Sequence, residues 1–406
     1  MLPRFPVLRH RNFRLYVVGQ GLSLVGFWMQ SVAQGWLVYR LSGSAFALGV
    51  VAFAAYAPVL AVAPVAGVVA DRVRRYGLVI VTQVLLLLIA AALGVAVATG
   101  NATVPIIVVA AAANGIVSAF DIPARQSFLV EMVGPEDLPG AIALNASIFN
   151  AARMVGPAVA GLLVAEVGEA PCFLLNALSY VAVLVALARM RLDPPGASPT
   201  TAPTTGVFDG VRYVRSQPVL RTLLLLLGVV GSLGFPWVVL LPVFAGQVFD
   251  VGPRGYGMLL AAAGIGAVTS GLRLASRRYS RREHRRNLLI GLTSLGCGVV
   301  WLSLSGSVVM AMAAQALAGF GMIRYAATTN TLVQLVVEDR YRGRVMGLYT
   351  VMFLGTAPLG SLLLGAVAER FGAPLAAFLS GSVSLAADAW LALRLRDVAR
   401  RERAAA

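Results

Sequence analysis

Asp193-Pro-Pro-Gly-Ala-Ser-Pro-Thr-Thr-Ala-Pro-Thr-Thr-Gly206 is a stretch that a packed element does not tolerate. Its prolines and glycines break regular backbone, and its threonines bring little apolar surface to bury. It lies near the midpoint of a 406-residue chain. Long apolar runs crowd both sides of it, so it reads as a linker between two halves of similar size.

Working outward, apolar runs occupy 13–39, 45–69, 77–98, 103–121, 138–165 and 170–189 before the linker. After it they occupy 220–248, 255–275, 287–305, 307–335, 344–368 and 372–394. Each is close to or longer than the ~20 residues a helix needs to cross a bilayer. Lipid offers no partner to backbone N–H and C=O groups, so only helices or closed barrels span it. The alternating ten-residue strands of a barrel are absent. The chain therefore reads as an all-α membrane protein of twelve transmembrane helices in two six-helix bundles. Residues 1–192 form the first bundle, 193–219 a cytoplasmic linker, and 220–406 the second bundle with a basic tail. Within the linker, Val207 to Arg215 suits a short amphipathic interfacial helix.

Composition agrees. Only 12% of residues are charged and 59% are hydrophobic, against about 25% charged in soluble domains. The net charge of +16 comes entirely from arginine. The basic clusters Arg4–Arg14, Arg72–Arg75, Arg189–Arg221, Arg277–Arg286, Arg340–Arg344 and Arg394–Arg403 all fall on one side of the twelve-helix scheme, leaving Arg40, Arg254 and Arg370 opposite. By the positive-inside rule both termini lie in the cytoplasm and the chain is a multi-pass protein of the inner membrane. Charge placed this way serves topology and anionic lipid, and no nucleic acid is expected as a partner. The basic N-terminal segment runs straight into the first helix, which is read as retained. Cys172 and Cys297 lie far apart in apolar runs, and His10 and His284 lie in basic segments. They supply no disulfide framework, metal set or nucleophile, and no phosphate-binding loop is present. Neither a cofactor nor enzymatic activity is expected.

A weak internal repeat supports the division. Glu136-Asp137 precedes a helix carrying Pro157, and Glu338-Asp339 precedes one carrying Pro358 at nearly the same distance. Parallel repeats of this kind mark several transporter folds.

The loop after the second run reads Gly67-Val-Val-Ala-Asp71-Arg72-Val-Arg74-Arg75. Here the chain resembles the major facilitator superfamily, whose signature in this loop is G-x-x-x-D-R followed by basic residues. Within it the sequence looks most like the enterobactin-exporter-like branch. The supporting stretches are Asp121-Ile-Pro-Ala-Arg125-Gln126, Ala143-Leu-Asn145 with Arg153-Met-Val-Gly156-Pro157, and Arg342-Gly-Arg344-Val-Met-Gly347. Arg74 stands where the superfamily usually has glycine. The resemblance spans about residues 9 to 394. It implies a cytoplasmic gating latch at Asp71 and Arg72, with Arg75 alongside. On physical grounds alone, a carboxylate at the lipid boundary needs a partner, and a helix N-terminus or a facing Arg125 would serve Asp71. In drug-efflux relatives the Gly156-Pro157 motif is associated with antiport; close helix packing explains it equally well.

Polar residues inside the runs point to the site. Gln20, Ser23, Phe27, Gln30, Ser31 and Gln34 recur at helical spacing along the first helix, as Asn114, Ser118 and Asp121 do on the fourth. The resemblance implies that helices 1, 4, 7 and 10 line a central cavity; a polar helix–helix contact is the alternative. Trp28, Phe53, Tyr56 and Trp237 would add an apolar wall, while Trp36 and Tyr39 suit interfacial anchors. Arg153 and Arg324 are costly in lipid, so each either binds an anionic or catecholate-like group or braces the bundle. Asp388 is placed to snorkel or to pair with Arg394 or Arg396. Asp121 is the candidate for proton coupling, with Glu131 expected in a cytoplasmic connection.

These features predict a secondary active transporter, working as a monomer, that exports a small amphiphilic molecule by alternating access with the proton as coupling ion. An importer or uniporter of the same fold, or a transport-inactive sensor or scaffold, remains the alternative.

Overall fold

The structure is a computed structural model that describes residues 6–191, 207–277 and 279–404, with the side chains at 63–65, 67–68, 70–72, 207–208, 281, 354 and 395–404 excepted. No strand occurs among the described residues. A short 3-10 turn (Pro6–Arg9) leads into α1 (Arg11–Ser42), α2 (Ala45–Arg72) and α3 (Arg75–Ala98). A continuous helical stretch, Val104–Val167, follows, and then α6 (Ala170–Ala188). Beyond the linker come α7 (Val207–Ser216), α8 (Pro218–Val248), α9 (Gly252–Ala275), α10 (Arg281–Ser303), α11 (Val308–Val336), α12 (Asp339–Phe371) and α13 (Ala373–Ala404).

Val104–Val167 has 64 residues, which at 1.5 Å per residue is ~96 Å, about three times the hydrocarbon thickness. One span cannot use that length. Gly134 divides it: its φ of 72° is one that only glycine adopts without penalty. Prolines at 135 and 139 follow the break. The stretch is thus two helices, α4 (104–133) and α5 (135–167). Among the described residues ten segments are long and apolar enough to cross a bilayer, the undivided stretch counting as one of them. α1 has 32 residues but is not among the ten; its glutamine stripe lowers its hydropathy. Dividing the long stretch and adding α1 gives the twelve helices read from the sequence.

The chain forms two compact units. Unit 1 holds residues to Ser42 and from Ala54 to Thr204; unit 2 holds Gly43–Phe53 and Thr205 onward. The first turns of α2 therefore group with unit 2, where the sequence scheme had put all of residues 1–192 together. The reason is local. Ser44 Oγ donates to Glu369 Oε2 at 2.9 Å and the Phe46 N–H to the same oxygen at 3.2 Å, so Glu369 satisfies donors at the start of α2. Residues 193–206 lie outside the described residues. α7 forms where an amphipathic helix was expected, but it packs on protein: Tyr213 and Val214 are buried and Tyr213 stacks on Tyr341 at 4.0 Å.

α8 and α12 are irregular. α8 contains π turns at Val230–Gly234 and Phe244–Val248 with a 3-10 turn at Pro236–Leu240 between them, and α12 has a π turn at Val351–Gly355. Such turns free carbonyls that lipid cannot satisfy. Ser380 Oγ donates to Leu233 O at 2.6 Å and Thr356 Oγ1 to Gly228 O at 3.2 Å, so hydroxyls on α13 and α12 supply the missing partners.

Small residues allow close helix approach in unit 2. A Cβ on Gly266 would sit 1.8 Å from Ala316 O, and one on Gly319 would sit 2.0 Å from Ala263 O. The two glycines face each other across the α9–α11 crossing, where only their missing side chains let the backbones touch. Gly271 on the same α9 has nothing within 4 Å of its Cβ position. Gly266→Ala is expected to lower the stability of detergent-purified protein by about 1–3 kcal/mol, as overpacking does, with Gly271→Ala close to neutral. Thermal unfolding of the two variants beside the parent checks this.

Candidate functional site

The most enclosed charge in unit 1 is Asp121 on α4, 1% exposed. Thr82 Oγ1 and Gln83 Nε2, neighbours on α3, both reach its Oδ1 at 2.8 Å. Arg125, one turn further along α4, forms an ion pair with Oδ2. Helical spacing of four residues puts both partners on one face, and the apolar wall of α3 removes the water that would screen them. Sequence reasoning singled out Asp121 but offered Arg125 to Asp71; the partner seen for Arg125 is Asp121. It also missed Thr82 and Gln83, a polar doublet inside the very apolar 77–98 run that could have been noticed.

The α1 stripe divides. Gln20, Ser23 and Gln30 are buried. Gln30 Oε1 accepts from Asn176 Nδ2 on α6 at 2.7 Å, which makes this part of the stripe a helix–helix contact. Gln20 Oε1 is buried and has no hydrogen-bond partner among the described residues. Phe27 and Gln34 are half-buried and Ser31 is exposed. On α4, Asn114 and Ser118 are half-buried, and Ser118 Oγ donates to Asn114 Oδ1 at 3.2 Å.

Next to the stripe is an aromatic group carrying a cation. Trp28 meets Phe27 edge-on at 5.6 Å and Phe149 at 5.7 Å, and the Arg153 guanidinium lies 5.6 Å from the Trp28 ring centre. That is cation–π range, and such contacts strengthen when desolvated. The backbone of α5 comes this close to α1 because of Gly156, whose Cβ would sit 2.5 Å from Trp28 Cβ. Pro157 is buried beside it. The glycine-proline pair thus sets close packing between α5 and α1.

In unit 2, Trp237 is 1% exposed and donates Nε1–H to Gln315 Oε1 on α11 at 3.2 Å. Arg324 Nη2 donates to Asn287 Oδ1 on α10 at 2.6 Å, and its guanidinium lies 5.3 Å from the Phe320 ring. Asp388 accepts from Thr293 Oγ1 at 2.7 Å; Arg394 lies over the Trp390 ring, and the Arg396 side chain is outside the described residues.

Of the latch residues, the side chains of Asp71 and Arg72 are also outside the described residues, at the C-terminal end of α2. Arg75 opens α3 and donates Nη1–H to Glu131 Oε1 at 2.7 Å. Beyond the Gly134 break, Asp137 Oδ2 lies 2.8 Å from Arg9 Nη2 and 2.6 Å from His10 Nε2. The corresponding acids of the repeat pair locally instead: Glu338 with Arg340 at 2.8 Å, and Asp339 with Arg342.

The model of the family described as transmembrane secretion effectors matches residues 3–405. The chain belongs to that family of the major facilitator superfamily. It is 29% identical over 366 residues to the multidrug efflux pump Tap of Mycolicibacterium fortuitum, covering 87% of each chain. It is 28% identical over 362 residues to the staphyloferrin A transporter of Staphylococcus aureus, covering 86% of this chain and 88% of that one. Among solved structures, a bacterial homologue of the human lysosomal transporter Spinster superposes with a TM-score of 0.75 at 15% identity over 95% of this chain and 96% of that chain. This last likeness shows the fold. As a member of the transmembrane secretion effector family, the chain is a multi-pass membrane transporter.

The Asp121–Arg125 pair gives a stability prediction. Arg125→Leu strands a buried carboxylate and is expected to cost roughly 3 kcal/mol, the low end of the range for breaking such pairs, because the Arg125 side chain keeps 22% of its exposure. Asp121→Leu with Arg125→Leu removes both charges and is expected to recover most of that loss. Denaturation of the single and double variants in a double-mutant cycle measures the coupling.

Proposed function

We propose that the chain is a proton-coupled exporter of small amphiphilic molecules, drug-like or siderophore-like, working by alternating access. The observation that carries the substrate class is the full-length relation to a multidrug efflux pump and a siderophore transporter. The aromatic group of Phe27, Trp28 and Phe149, with Arg153 over it, supports the same reading. It offers flat apolar surface beside one fixed positive charge, which suits an amphiphile with an anionic or π-rich part. In this proposal Gln20, Gln34, Asn114, Ser118, Trp237 and Arg324 contribute further polar and aromatic contacts to the cargo as the two halves exchange states.

Asp121 is the proposed proton carrier. A proton and Arg125 compete for the same carboxylate, so protonation would release the guanidinium, and its return would expel the proton. Asp71, Arg72 and Arg75 form the proposed cytoplasmic latch, with Gly156 and Pro157 as the packing point about which α5 moves against α1. The proposed setting is the cytoplasmic membrane, with both termini inside and the protein acting as a monomer. The pairing of Arg40 with the buried Glu169, at 2.7 Å and 3.2 Å, supports this topology. It neutralises one of the few arginines that the positive-inside scheme leaves on the far side.

Inside-out proteoliposomes with an acidic lumen, offered a panel of fluorescent amphiphiles and iron-chelating siderophores, test the coupling. Accumulation of at least one compound is expected, with collapse when the pH gradient is dissipated. Asp121→Asn is expected to remove the dependence on the gradient. Accumulation indifferent to the gradient would overturn proton coupling, and movement only in right-side-out vesicles would favour an importer.

A further inference from the structure

The α9–α10 connection of unit 2 bounds a cavity of about 410 Å³ with an unusual charge balance. Arg273 and Arg277 come from the end of α9 and its loop, Arg286 from the first turns of α10, and Arg324 from α11. None of the four makes an ion pair among the described residues. Arg273 and Arg324 even share one aromatic partner: their guanidiniums lie 5.8 Å and 5.3 Å from the ring centre of Phe320. Like charges gathered round one ring repel, and an anion among them would relieve that repulsion.

The single carboxylate at the cavity is already engaged. Glu283 Oε2 accepts from the Ser280 N–H at 2.7 Å while Ser280 Oγ accepts from the Glu283 N–H, a reciprocal cap on α10. A second, independent feature points to a ligand. Asn287, 3% exposed, accepts from Arg324 through Oδ1, yet its Nδ2 is buried with no partner, as is Arg324 Nε. Buried donors without acceptors are rare and costly. Here two of them, amide and guanidinium, line one cavity with three further cations.

We propose that this cavity binds a phosphate group, with Arg324 and Asn287 as its buried floor and Arg273, Arg277 and Arg286 as its rim. Guanidinium forks match the geometry of phosphate oxygens. The loop joins two helices long and apolar enough to cross a bilayer, so an anionic phospholipid headgroup is one source of the group. Free inorganic phosphate has the same chemistry and is the other. Arg324 is shared with the proposed cargo contacts, whereas Asn287, Arg273, Arg277 and Arg286 are not, and neither source depends on proton coupling.

The test uses full-length protein delipidated in neutral detergent. Thermal unfolding is followed while phosphatidylglycerol, phosphatidylcholine or inorganic phosphate is titrated, and native mass spectrometry counts retained lipid. Protection by phosphatidylglycerol but not phosphatidylcholine, or by phosphate itself, is expected, and the arm that protects identifies the source. Arg273→Gln with Arg286→Gln should weaken binding ~10-fold or more, the loss of charge-assisted contacts. Asn287→Asp keeps an acceptor for Arg324 but places a negative charge in the floor, and should abolish protection while the protein stays folded. Protection by neither anion, or equal protection of parent and both variants, would overturn the site.

Discussion

The hydrocarbon core offers no hydrogen-bond partner, and every other feature of this chain answers to that constraint. It forces the backbone into helices, and it makes a buried polar side chain without a partner costly. Several polar pairs join neighbouring helices: Asp121 with Thr82 and Gln83, Gln30 with Asn176, Trp237 with Gln315, Arg324 with Asn287, Asp388 with Thr293. Since apolar side chains are as comfortable against lipid as against one another, these pairs and the contacts of small residues select which helices lie together. Gly266 against Ala316 and Gly156 against Trp28 supply the second half of that selection.

A carrier must also let some of this go. Hydrogen bonds between side chains can be exchanged one for another, whereas a backbone carbonyl stranded in lipid cannot wait for a partner. The irregular turns of α8 and α12 are consistent with this division. Their freed carbonyls are met by the hydroxyls of Ser380 and Thr356, short side chains that follow the backbone through small shifts. The Asp121–Arg125 pair is different in kind. It holds opposite charges within one helix, so it ties no two helices together.

Much of this was legible in the sequence because helical period and hydropathy are carried by residue type alone. The twelve runs, the basic asymmetry, the α1 stripe and the isolation of Asp121 needed no coordinates. Partnerships were less legible, because they depend on rotation and depth. Arg125 was a candidate partner for Asp71, whose side chain lies outside the described residues; the pair seen is with Asp121, one turn away on the same helix. Asn176, Asn287 and Gln315 passed unremarked in runs where single polar residues carry no period. The break between the fourth and fifth runs was read from hydropathy, but not its place: Gly134 is one of six glycines with positive φ among the described residues, and the one that falls inside a continuous helical stretch. The grouping of residues 43–53 with the second unit rests on Glu369, more than 300 positions away, a pairing that no local pattern announces.

The proposed carrier presents one site to each side of the membrane in turn. Counterflow measures that directly, with no imposed gradient and no assumption about the coupling ion. Proteoliposomes preloaded with an unlabelled amphiphilic substrate are diluted into a trace of the labelled compound. The account predicts a transient overshoot of label inside the vesicles, which requires the full chain and disappears without preloading. Label that only equilibrates, at the same rate with and without internal substrate, would contradict it.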